Sequence, residues 1–113
     1  STRIDFGHEA IERQMEERMD LLRAENRYRI DARVESLEKG SRTRIERLER
    51  KISEHRSSRL AEGREPNPDF IRLTEAQIAV ENRRTAERIS RLRSRSELSM
   101  TLSLAAAMLL ESV

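Results

Sequence analysis

The sequence predicts a mainly α protein: a long antiparallel helical hairpin, or coiled coil, with a short terminal strand or apolar segment. Three observations carry that prediction. Apolar residues recur at steps of three and four through most of the 113 residues. Charged residues make up 39% of the chain and aromatics 3%, too little bulky apolar matter for a thick core but typical of long helices. A single punctuation, Ala61-Glu62-Gly63-Arg64-Glu65-Pro66-Asn67-Pro68, divides the periodic stretch in two.

At the start, Ile4 and Phe6 alternate with Arg3 and Asp5, the pattern of a short strand or anchor in Ser1–Gly7. The first helix is expected over about 8–62. Its apolar stripe is Ile11, Met15, Met19, Leu22, Ile30, Val34, Leu37, Ile45, Leu48 and Ile52, with Asn26 and Ser41 filling the gaps. The mean step is about 3.7 residues, nearer the 11-residue repeat than the heptad, so a nearly straight or slightly right-handed seam is expected. Off the stripe, Glu precedes a cation by four residues at Glu9/Arg13, Glu25/Arg29, Glu35/Lys39, Glu38/Arg42 and Glu46/Arg50. Such pairs add about 0.3–0.5 kcal/mol each to an exposed helix. Gly40 is the weak point, since glycine in mid-helix costs about 1 kcal/mol relative to alanine. Thr43 and Glu46 have the spacing of a capping box that would restart a helix after it. The unbroken register of Leu37, Ser41, Ile45 and Leu48 favours one continuous helix instead.

Gly63 suits a left-handed C-terminal cap, and Pro66 blocks resumption, giving a turn at 63–67. Asn67 then offers a side-chain cap, Pro68 fits the first helical position, and Asp69 complements the helix dipole. The second helix is expected over about 68–95, with Ile71, Thr74, Ile78, Thr85, Ile89 and Leu92 on its seam. Beyond it Leu98, Met100, Leu102 and Leu104 alternate with Ser99, Thr101 and Ser103, which predicts a half-buried strand within 97–110. The run Ala105–Leu110 equally suits a helix.

If the rods pair so that facing residue numbers add to about 130, helix two covers helix one from about Val34 to Glu62. The stripe of His8–Arg33 then lacks a partner, and self-association or the remainder of a larger protein is expected to cover it. The same pairing draws two basic stretches together, 39–51 and 83–95. Arg42, Arg44, Arg47, Arg83, Arg84, Arg88, Arg91 and Arg95 are therefore the candidate contacts to nucleic-acid phosphates. Of the 23 cations all but Lys39 and Lys51 are arginines, whose planar fork suits phosphates and carboxylates alike. With formal charge only +2, the alternative is a solvated face of ion pairs. No stacking aromatics accompany the arginines, so base reading is not expected.

Catalytic patterns are missing. Gly7, Gly40 and Gly63 open no phosphate-binding loop. His8 and Glu12 share a helix face, but two ligands do not make a metal site. His55 falls on the seam as a polar seam residue, and Ser57 and Ser58 beside it imply no oxyanion hole. No cofactor is expected. The chain has no Cys, its first residues are polar, and Leu98–Leu110 is shorter than the roughly 20 residues of a membrane span. A cytoplasmic protein without a membrane contact is expected.

Asn67–Gln77, the arginine-rich run through Arg95 and the tail Ser96–Ala106 resemble the coiled-coil segment near the C-terminus of bacterial Swi/Snf-like helicases. In that family a charged helix with a run like Lys51-Ile52-Ser53-Glu54 precedes an Asn-Pro helix start, a second helix and a short closing strand with an Ala-Ala step. The resemblance implies a non-catalytic accessory segment of a DNA-translocating ATPase whose motor motifs lie elsewhere, spacing domains or contacting DNA or a protein. It carries over no catalytic residue. The alternative is a stand-alone oligomeric coiled-coil scaffold whose stripes pair between copies.

Overall fold

The computed structural model describes residues 2–111, with side chains from 7 to 110. The chain forms a helical hairpin of two long helices, α1 (Thr2–Ala61) and α2 (Pro68–Glu111), with no strand among the described residues. It divides into two units, Arg33–Arg91 and Ser1–Ala32 with Leu92–Val113, each drawing on both helices. Total exposed surface is 9712 Å². A compact protein of 13.3 kDa would expose about 6,500 Å², so the hairpin buries far less of itself than a globule does.

In the Arg33–Arg91 unit the reversal is built from local bonds. Gly63 adopts φ 70°, the left-handed conformation that glycine takes without steric cost. The Arg64 N–H donates to the Arg59 carbonyl at 2.8 Å and the Gly63 N–H to that of Leu60 at 3.0 Å, which is a Schellman ending. At the start of α2 the Asn67 carbonyl accepts from the Ile71 N–H, and Asn67 Oδ1 accepts from the Asp69 N–H at 3.0 Å. The first is the opening bond of the helix, and the second satisfies a donor that a helix N-terminus otherwise leaves orphaned. His55 joins the two ends: its Nε2 accepts from the Asn67 N–H at 3.0 Å, and its ring lies 4.4 Å from that of Phe70.

The seam of this unit is narrow. Its most buried residues are Val34, Ser41, Ile52 and Thr74, each less than a tenth exposed. Leu37, Ile45, Leu48 and His55 on α1, and Ile71, Ile78, Thr85 and Ile89 on α2, are half-buried between them. Glu81 occupies the seam place between Ile78 and Thr85. No buried polar side-chain atom lacks a hydrogen-bond partner among the described residues. Thr74 and Thr85, for example, donate to the carbonyls of Phe70 and Glu81 one turn back.

In the second unit α1 and α2 again lie side by side. Asn26 Nδ2 donates to Ser96 Oγ at 2.6 Å, and Met15, Met19, Ile30, Leu92, Met100, Leu104 and Ala107 are half-buried. Ile11 and Leu22, both on the expected stripe, stay 57% and 47% exposed.

Several expectations are corrected. Residues 97–110 are helical, so the expected strand is absent. A residue and the one four places on share a helix face, and a period of four also satisfies an alternation of two; Met100 and Leu104 lie inward while Leu98 and Leu102 point out. Leu, Met and Ala supply the helix propensity. The backbone is also helical from Thr2, where a strand or anchor over 1–7 was expected, and α2 runs to Glu111 rather than stopping near 95. That extension gives the His8–Arg33 stripe a partner within the chain. Facing residues Asn26/Ser96, Arg44/Glu81 and His55/Asn67 have numbers that add to about 122–125 rather than 130.

Helix α1 passes through Gly40 without interruption, and Thr43 donates to the Lys39 carbonyl instead of capping a new helix. None of the five expected Glu-to-cation pairs closes within 4 Å. The ion pairs among the described residues are His8–Glu12, Asp20–Arg23, Arg44–Glu81, Glu62–Arg64, Asp69–Arg72 and Glu87–Arg91. Long exposed side chains in high dielectric have little reason to hold one geometry.

Candidate functional site

Open grooves flank the seam of the Arg33–Arg91 unit, and two of them lie on opposite sides of it. The first is walled by Arg44, Arg47, Lys51 and Arg84, with Leu48, Leu73, Ala76 and Val80 forming its apolar part. Glu81 is the only acid lining it. Its Oε1 accepts from Arg44 Nε at 2.5 Å, and its side chain is 16% exposed. That bond fixes the Arg44 guanidinium at the rim and leaves Arg47, Lys51 and Arg84 projecting beside it. The second groove carries Glu38, Glu46 and Glu49 against Arg42, over Ser41, Ile45, Thr85, Ala86 and Ile89.

The sorting of charge follows from helix geometry. A residue just before a seam position falls on one flank and a residue just after it on the other, because each step turns the helix by about 100°. Positions preceding the seam on α1 include Arg33, Arg44, Arg47, Lys51 and one acid, Glu54; those following it include Glu35, Glu38, Glu46 and Glu49 with Arg42 and Arg56 among them. On α2 the preceding positions include Leu73, Val80, Arg84, Arg88 and Arg91, and the following ones include Arg72, Glu75, Asn82 and Ala86. In an antiparallel pair like flanks meet like, so one side of the unit is basic and the other mainly acidic.

The structure thus brings together Arg44, Arg47 and Arg84 of the eight candidate residues. Arg88 and Arg91 continue the strip of Arg84 by their spacing, and Arg91 pairs with Glu87 at 3.6 Å. Arg42 lines the opposite, acidic groove, and Arg83 lines neither. Arg95 belongs to the other unit. The changed register also spreads the expected collar along the hairpin, since residues 39–51 now face roughly 72–85. Sequence reasoning grouped the arginines by proximity along the chain, placed Lys51 in the basic stretch without naming it a contact, and missed Leu73 and Val80. The signal that would have found them was the flank: each stands one place before a seam residue.

No other constellation emerges. His8 and Glu12 form an exposed pair at 3.0 Å, and no cluster of three or more metal-ligating side chains occurs among the described residues. Among the described residues, no helix is long and apolar enough to cross a membrane. A family-model scan finds no match for this chain, and neither do comparisons with curated proteins and with solved structures.

Proposed function

We propose that the chain is a non-catalytic contact arm, an accessory coiled-coil segment of a larger bacterial helicase-like DNA translocase, whose basic groove meets DNA phosphates. The observation that carries this reading is the gathering of Arg44, Arg47, Lys51 and Arg84 on one flank with Glu81 alone opposing them. The likeness of Asn67–Gln77 to the helicase coiled coil supports the setting. Without stacking aromatics in the groove, contact would be to the backbone and independent of base sequence.

A salt titration of duplex binding tests it. Neutralising three to four phosphates predicts a slope of log K against log salt of about −3 to −4. Arg44→Glu with Arg47→Glu and Arg84→Glu should abolish the shift while leaving helicity intact. A wild-type chain that leaves duplex DNA unshifted at low salt would remove this reading. The second reading, a stand-alone oligomeric scaffold, is favoured by Leu73 and Val80, exposed apolar residues among the cations that phosphate contact does not require.

A further inference from the structure

We infer that the occupant of the basic groove is a second copy of this chain, presenting the acidic groove of its own Arg33–Arg91 unit; this rests on the scaffold reading. Leu73 and Val80 are 63% and 41% exposed and lie seven residues apart, so they project from one strip of α2 two turns apart. Across the seam, the opposite groove has small residues where a neighbour's side chains would enter: Ser41, Thr85 and Ala86. Protruding apolar groups on one side and a recess of small residues on the other are the two halves of a helix-packing contact.

Charge agrees with shape. The first groove carries four cations against one acid, the second three acids against one cation. Rim charges of this kind contribute mainly to register, encounter rate and rejection of the wrong orientation, while the apolar contact supplies the attraction. Because the two faces differ, the contact is heterologous: each added copy offers a free groove to the next, so assembly continues past two.

Sedimentation of the full 113-residue chain tests this. The average mass should climb with concentration at about 50 mM salt, and at about 500 mM, where the rim charges are screened, the same climb should need a higher concentration. The triple variant Arg44→Glu, Arg47→Glu, Arg84→Glu should stay a single chain at tenfold the concentration at which the wild type assembles. So should Glu38→Arg, Glu46→Arg, Glu49→Arg, since each then sets like charges against each other. An equimolar mixture of the two should regain assembly. Circular dichroism checks that each is helical, and glutamine at the same positions replaces any reversal that unfolds the chain. A wild type that remains a single chain at several hundred micromolar and low salt overturns the inference. Assembly of either variant alone as readily as the wild type, or a mixture that stays unassembled, does the same. Duplex binding measured on the same samples separates the two ideas: a single-chain wild type that still shifts DNA leaves the contact arm standing and ends self-pairing.

Discussion

A methyl group built onto Gly40 would meet only the end of the Arg44 side chain, 3.5 Å away, an ordinary contact with a flexible group. The backbone there is helical, so alanine fits without strain and restricts the unfolded chain. Gly40→Ala should raise stability by about 0.5–1 kcal/mol in urea denaturation. Gly63 answers the opposite way. The space around it is open, but at φ 70° an L side chain crowds its own backbone. Gly63→Ala should therefore cost about 1–2 kcal/mol in the same measurement. The two glycines look alike in sequence, and only their place relative to the seam tells them apart: Gly40 stands inside an unbroken register, whereas Gly63 stands where the register stops.

Each helix is held chiefly by one stripe against one neighbour. Ile52 is among its most buried members, yet solvent lies close on either flank, so the cavity left by truncation can partly fill or collapse. Ile52→Ala should cost about 2 kcal/mol by thermal or urea denaturation, the low end of the range for core truncations. A loss near 5 kcal/mol would mean the seam is far more enclosed than described. The stripes themselves were legible in sequence because a step of three or four has no other common cause. Asn26 and Ser41 could be placed on the seam by register alone, and both are there, Asn26 bonded across to Ser96. The end of α2 was not legible: Leu98–Leu104 alternates in a way that two periods explain equally, and no glycine or proline marks a stop. With that extension hidden, the stripe of His8–Arg33 looks unpartnered from sequence alone.

For the whole molecule, the excess of exposed surface has a measurable consequence. The denaturant dependence of unfolding scales with the surface newly exposed, so the urea m-value of a single chain should fall clearly below that of a compact domain of 113 residues. An m-value in the compact range at low micromolar concentration would show that further surface is buried, as an assembly would bury it. The basic groove was only partly legible for a related reason. With few apolar residues to set it apart, its identity lies in which flank of the seam each charge occupies, while which charges stand opposite one another depends on the register, where facing numbers add to about 122–125 rather than 130.

The tip carries one more implication. Arg64 and Glu65 are exposed, with the Schellman bonds closing α1 behind them and the Asn67 cap opening α2 ahead. Each helix end is thus sealed by its own bonds, and the span between them is where extra length is tolerated at small entropic expense. A fluorophore-bearing or tag peptide grafted at that span would leave both flanks in phase. The same graft placed at Gly40 would rotate every later residue of α1 out of alignment.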